Sequence, residues 1–185
     1  MNPDLKWSVV RVDGKIAAVS TDLKQLVRVS SYLVQNPPAD CQKITWEVVP
    51  FEEIWELKKT VAWEDLYLTG SEFKKNVWKH LFDLTHSGKS PELVSYSAFA
   101  RKCGNRKGVR AVAHAVGLNP IAVIIPCHLV IPKESIDRIN GIYEQAETTL
   151  FKEEGLFLFD TIDFGLYELG KDVKKELIKL ELMGH

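Results

Sequence analysis

The stretch GNRKGVRAVAHAVGLNPIAVIIPCHLV, residues 104–130, decides how this chain is read. Arg106 to Val116 has helical spacing and ends at Gly117. Just before it, Ser95 is suited to cap a helix from Tyr96 to Lys102 that stops at Cys103-Gly104-Asn105. Helix, short glycine-containing turn, helix is the helix-turn-helix signature. Beyond Asn119-Pro120 the chain turns into an unbroken apolar run, Ile121 to Ile125. That run and Leu129 to Ile131 read as buried strands around Cys127 and His128. A thiol placed beside an imidazole next to a DNA-reading helix pair points to chemistry on a base.

Working outward, Ser71 is an N-cap and Glu72 lies in the first turn, where negative charge suits the helix dipole. Phe73, Val77, Trp78 and Leu81 then form one apolar stripe. Nearer the N-terminus, Trp7 to Val19 reads as a hairpin about Asp13-Gly14, a dipeptide suited to tight turns. Leu23 to Val34 has helical spacing through Leu23, Leu26, Val27 and Leu33, and Asn36-Pro37-Pro38 stops it. Ile44 to Val49 is strand-like up to Pro50, and Phe51 to Leu68 gives no clear period. Towards the C-terminus, Tyr143 to Glu154 reads as a helix ending at Gly155, and Lys171 to Met183 is amphipathic. The expected fold class is α/β. A small N-terminal α/β domain covers 1–68, and 69–185 hold a helix-turn-helix domain with a helical extension.

Composition sets the outer bounds. Of 185 residues, 45% are hydrophobic and 26% charged, the balance of a globular protein. No apolar run approaches the roughly 20 residues that span a bilayer, and the N-terminal residues lack a signal-peptide pattern. The cytoplasm, or the nucleus in a eukaryote, is the expected location. The net charge of -1 excludes attraction of nucleic acid by the whole-protein field, so any DNA affinity needs a local basic patch. Three widely spaced cysteines, Cys41, Cys103 and Cys127, make neither a disulfide framework nor a metal site.

A thiol attacks as its thiolate, and free cysteine with a pKa near 8.5 is mostly protonated at neutral pH. On a strand, His128 would point away from Cys127. A turn after Pro126, or a bridging water, would join them. Taken alone, the pair fits a buried, inert cysteine and a satisfied core histidine better than a reactive site.

Four pieces in order change that balance: Gly-Ser-Glu-Phe-x-x-x-Val-Trp (70–78), Ser95-Tyr96, Gly-Asn-x-x-x-Val-Arg-Ala-Val (104–112) and Asn-Pro-Ile-Ala-Val-Ile-Ile-Pro-Cys-His (119–128). Together they resemble the C-terminal domain of the O6-alkylguanine-DNA alkyltransferases, the methylated-DNA–protein-cysteine methyltransferase family. The resemblance implies an RNase H-like N-terminal domain and a winged-helix-like alkyltransferase domain. It implies DNA repair by direct reversal: Cys127 takes the alkyl group from guanine O6, and each molecule acts once. His128 would be the base, Glu154 its orienting acid, and Asn119 would order the turn. Tyr96 would donate a hydrogen bond to the flipped guanine. Arg110 would fill the gap in the base stack, since a base must leave the duplex to be reached. Ala111, with Ala113 and Ala115, would let the helix lie close in the minor groove of double-stranded DNA. Arg101, Lys102, Arg106 and Lys107 would hold phosphates. The carbonyl of Val130 would accept from the guanine amino group.

The chain departs from the family pattern in places. Leu129 stands where the family carries arginine after Cys-His, and Leu118 where many bacterial members carry another. The Gly-Tyr-x-Gly-Gly loop is absent. Counting back from Glu154 places Asn140, Gly141 and Ile142 on the substrate pocket; a second register uses Tyr143 as its wall. The expected adduct is methyl. With only Cys41 in the N-terminal region, neither zinc nor any other cofactor is expected. The expected species is a monomer. The alternative reading is a lesion-binding protein that flags alkylguanine without transferring the group.

Overall fold

A computed structural model describes residues 5–88, 90–146 and 161–183. The chain forms two compact units, Met1–Ser90 with His114–Cys127, and Pro91–Ala113 with His128–His185.

The first unit is built on the hairpin of β1 (Trp7–Val12) and β2 (Lys15–Ser20). Asp13 and Gly14 both take positive φ, +47° and +85°, the pair of left-handed residues that a tight hairpin turn requires. The Asp13 carboxylate also accepts from Gln42 N (3.0 Å) and Lys43 N (2.8 Å), which starts β3 (Ile44–Val49). β3 pairs antiparallel with β1, so the sheet order is β2-β1-β3.

Helix α1 (Leu23–Gln35) is capped by Asp22, whose carboxylate accepts from Lys24 N at 2.9 Å. It sets Leu26 and Leu33 against Val10, Val12, Ala17 and Ala18. The expected stripe is corrected here, because Leu23 and Val27 face solvent and Gln25 is buried. Gln25 takes the inward place because its Nε2 donates to the Asn119 carbonyl at 3.0 Å. The segment without a clear period contains α2 (Phe51–Thr60) and a 3₁₀ turn, Trp63–Asp65. Lys58 is buried in α2 along with Ile54, so a charge interrupts the apolar stripe that would reveal the helix. Helix α3 (Glu72–His86) starts at Ser71, whose Oγ accepts from Lys74 N, and buries Val77, Trp78, Leu81 and Phe82. Phe73, expected in that stripe, is partly exposed.

The second unit pairs two short parallel strands, β4 (Val94–Ser95) and β5 (Val130–Ile131). Ser95 caps α4 (Tyr96–Lys102), with Oγ accepting from Ala98 N at 3.2 Å. The next helix, α5 (Val109–Gly117), starts later than its spacing predicts. Gly108 is the cause: a Cβ there would lie 2.4 Å from Asn105 Oδ1, so the chain turns tightly over Asn105 before it winds. Asn105 N in turn donates to the Ala100 carbonyl at 2.8 Å, which fixes the turn.

Helix α6 (Lys133–Ala146) begins well before the expected Tyr143, because the Pro132 carbonyl accepts its first bonds, from Ser135 N and Ile136 N. The expected end of that helix, Glu154-Gly155, lies outside the described residues. Helix α7 (Lys171–Met183) forms where the amphipathic tail predicts it. Ile131, Ile139, Ile162, Phe164 and Ile178 make this unit's core. Among the described residues, no helix is long and apolar enough to cross a membrane.

Candidate active site

In the first unit the segment before Cys127 is buried throughout, as its apolar run requires, but it is not a strand. Burial does not select between strand and turn when every residue is apolar. The backbone closes on itself: Ile124 N donates to Ala122 O (2.9 Å), Ile125 N to Ile121 O (3.0 Å) and Cys127 N to Ile125 O (2.8 Å). The turn is pinned to β2, with Val19 N donating to Pro120 O and Ala122 N to Val19 O, both 2.9 Å. Val123 is held at φ +71°, a conformation that costs a β-branched residue on the order of 1–3 kcal/mol. From α3, Trp78 Nε1 donates to the Ala115 carbonyl at 2.8 Å and fixes the end of α5 that leads into the turn.

Asn119 ties this turn to the thiol. Its Oδ1 accepts from Ile121 N at 3.0 Å. Its Nδ2 donates to Ile125 O at 2.8 Å and lies 3.1 Å from Cys127 Sγ. One buried amide therefore satisfies the turn and aims a donor at sulfur. A donor there favours the charged sulfur over the neutral one. Cys103 offers the contrast: burial pushes its thiol up to about 11, so it stays protonated and inert at neutral pH.

The chain enters the second unit at the Cys127–His128 peptide bond. Residues 127–129 form a 3₁₀ turn, so the alternation of a strand, which would have opposed the two side chains, does not apply. The turn after Pro126 is present. His128 is fully buried and its Nε2 donates to Glu181 Oε1 at 2.9 Å. Two turns earlier on α7, Lys174 is buried too, and its Nζ donates to the Val130 carbonyl at 2.9 Å. The approach to α7 is fixed at Asp163. Its carboxylate takes the Lys171 ammonium at 3.1 Å, a bond that holds its pKa below the usual carboxylate range.

Glu181 and Lys174 were not among the residues that the sequence singled out. The available signal was their register. Val173, Lys174, Leu177, Ile178 and Glu181 share the buried face of α7, so two charged residues fall on an apolar stripe. Lys and Glu are almost never fully buried unless paired. Glu154, the expected partner of the imidazole, lies outside the described residues.

The expected DNA-facing residues lie in the second unit. Arg101, Lys102, Arg106, Lys107, Arg110 and Ala111 are all exposed, and Lys102 is also paired with Glu92 at 3.4 Å. Tyr96 is half-buried at the start of α4. Ala111 faces outward, but Ala115 is buried, because a helix of this length has only one outward stripe. Asn140, Gly141 and Ile142 lie within α6, and Asn140 is exposed. Leu129 is fully buried. Among the described residues there is no cluster of three or more His, Cys, Asp or Glu side chains arranged to hold a metal.

Residues 72–155 match the model of the 6-O-methylguanine DNA methyltransferase DNA-binding domain. The chain is similar to a probable methylated-DNA–protein-cysteine methyltransferase of Acanthamoeba polyphaga mimivirus, 45% identical over 80 residues, 43% of this chain and 48% of that one. It is also similar to the methylated-DNA–protein-cysteine methyltransferase of Kluyveromyces lactis, 45% identical over 91 residues, 49% of this chain and 46% of that one. The chain thus spans about half the length of these curated relatives. The crystal structure of O6-methylguanine-DNA methyltransferase from Pyrococcus kodakaraensis shares the fold, with TM-score 0.53 and 19% identity over 95% of this chain and 91% of that one.

Proposed function

Because residues 72–155 belong to the family of the 6-O-methylguanine DNA methyltransferase DNA-binding domain, we propose that this protein repairs DNA by direct reversal, taking an alkyl group, methyl above all, from guanine O6 onto its own Cys127. The observation that carries the reading is Asn119 Nδ2 set 3.1 Å from the buried Cys127 sulfur. It supplies a donor to the thiolate within the turn that presents it.

In the step itself, the Cys127 sulfur attacks the alkyl carbon in line with the C–O6 bond. The S–C bond forms, the C–O6 bond breaks, and the electron pair passes to guanine O6. Tyr96 donates a hydrogen bond to the leaving base. His128 takes the thiol proton through a water, Glu181 holds the imidazole at its Nε2, and Glu154 stays the acid that the family resemblance assigns to orient it. The product is a thioether, which no group on this chain reverses, so each molecule acts once and needs no cofactor or metal. The role of His128 is supported by its covalent neighbour and its buried carboxylate, and the Val130 carbonyl is held in place by Lys174 Nζ. That carbonyl keeps a second lone pair for the guanine amino group.

DNA is the partner in this reading. Arg110 fills the space of the flipped base, Ala111 lies against the minor groove, and Arg101, Lys102, Arg106 and Lys107 take phosphates. Asn140, Gly141 and Ile142 border the pocket. Residues 1–68 act as a supporting α/β domain and 69–185 bind DNA and transfer the group. The active species is a monomer in the cytoplasm, or in the nucleus of a eukaryote.

The test is the intact mass of the protein after incubation with duplex DNA carrying O6-methylguanine. A gain of one methyl, mapped to Cys127 and abolished by Cys127→Ser, is the expected result. Tight lesion binding without a mass gain would replace this reading with lesion recognition alone.

A further inference from the structure

β3 is an edge strand. It pairs with β1 along all six of its residues, and no strand pairs with its other side among the described residues. Trp46 and Val48 are 40% and 66% exposed. An edge of this length with apolar side chains is what natural sheets ordinarily cover or break. Trp46 and Val48 share one face, two residues apart. It is the face that α1 shields elsewhere, since Val10, the register partner of Trp46, packs in the core with Leu26 and Leu33. On β3 only Ile44 packs against that core, and Trp46 and Val48 stay open to solvent.

We propose that β3 is a self-association surface, on which a second copy of this chain docks its own β3 antiparallel across a two-fold axis. Charge selects the register. Lys43 and Glu47 are exposed on the face opposite Trp46. An axis through Thr45 sets Lys43 opposite Glu47 of the second copy, and two-fold symmetry repeats the pair. It also sets Ile44 opposite Trp46, a β-branched side chain against an aromatic one, which is a favoured cross-strand pair. An axis through Glu47 would oppose two carboxylates, which is destabilising. An axis through Trp46 would set Glu47 against Thr45 and leave both lysines without a partner across the strands.

The result is a six-stranded sheet with two copies of α1 on one face and the four side chains Trp46 and Val48 between them. The contact is smaller than a permanent dimer needs, so it forms with rising concentration. It concerns the free chain, does not rest on the alkyl-transfer reading, and leaves transfer to each copy separately.

Sedimentation equilibrium on the full chain, from micromolar to near-millimolar concentration, tests this inference. The average mass is expected to climb from one copy towards two. Trp46→Glu holds it at one copy. Glu47→Lys weakens the association roughly tenfold by setting two lysines against each other at both ends. The double variant Lys43→Glu with Glu47→Lys restores it. Circular dichroism confirms that each variant is folded. If Trp46→Glu does not fold, the charge exchange decides alone. A mass that stays at one copy, a dimer indifferent to Trp46→Glu and Glu47→Lys, or a double variant no stronger than Glu47→Lys each overturns the inference.

Discussion

Asn119 and Glu181 hold two consecutive residues, Cys127 and His128, by opposite means. Asn119 is a neutral amide in a turn tied down by backbone bonds, and its side chain bonds within eight residues, to Ile121, Ile125 and Cys127. Glu181 is a buried acid, 53 residues from the imidazole it meets, with a buried Lys174 on the same helix face. A neutral network loses less when a member leaves, because each partner left behind is a dipole rather than a charge. A buried acid–imidazole pair loses more, because breaking it leaves a buried titratable side chain to bear its desolvation.

The largest effect is therefore expected at Glu181. Glu181→Ala removes the carboxylate that the buried His128 Nε2 bonds and costs about 3–5 kcal/mol of stability by denaturant titration. Glu181→Gln keeps a hydrogen bond and costs less, while slowing methyl transfer. Equal stability of wild type and Glu181→Ala would remove the distinction between the two regions.

Lys58 is the one buried charge-bearing side chain in the first unit's α2, and it is the sharpest challenge to the comparison. It lies over the Trp55 ring at 4.8 Å, and burial lowers its pKa from 10.5 to about 7. Its folded pKa is depressed, so between those values the unfolded chain holds a proton that the folded chain has released. Stability then rises with pH from about 7 to 10.5. Lys58→Met removes this penalty. It should stabilise the protein by on the order of 5 kcal/mol below pH 7 and by little near pH 10.5. A gain independent of pH would mean that Lys58 is not neutral in the folded protein. The expected result keeps the contrast intact: the first unit buries a neutral amine, the second an acid bonded to an imidazole.

Asn119→Ala comes next. It leaves the buried Ile121 N–H without the Asn119 acceptor, takes one of two donors from the Ile125 carbonyl, and should cost about 1–3 kcal/mol. It also removes the donor from Cys127, so the rate of transfer falls more than stability alone explains. The readout is the pH dependence of thiol alkylation by a small electrophile, which should move to higher pH. An unmoved profile would confine Asn119 to shaping the turn.

The same contrast explains what was legible in advance. The Ser71 and Ser95 caps and the Asp13-Gly14 turn are set by neighbours within a few residues, and the structure has them, like the bounds of β3, where the sequence places them. The turn before Cys127 was misread because an all-apolar run carries no period, and its shape comes from contacts with Val19 on a distant strand. Glu181 was missed because its meaning depends on a partner in a different element. Its position on the buried face of an amphipathic helix was visible, but nothing local says that His128 is what it faces. The helix-turn-helix was read correctly in outline, and only the side chain of Asn105, crowding Gly108, delays its second helix.

The smallest effects test whether the two units differ when the chemistry is the same. Ser71 and Ser95 both cap helices, one exposed with a bond of 3.4 Å, the other buried with a bond of 3.2 Å. Loss of an N-cap costs roughly 0.5–2 kcal/mol. Water replaces Ser71 Oγ once it is gone, so Ser71→Ala belongs near the lower bound. Ser95 is 7% exposed, so water has little access to Ala98 N, and Ser95→Ala belongs near the upper bound. Thermal unfolding of the two variants measures the difference directly. Equal shifts would show that burial adds nothing to a neutral cap, and would confine the contrast between the units to their ionised groups.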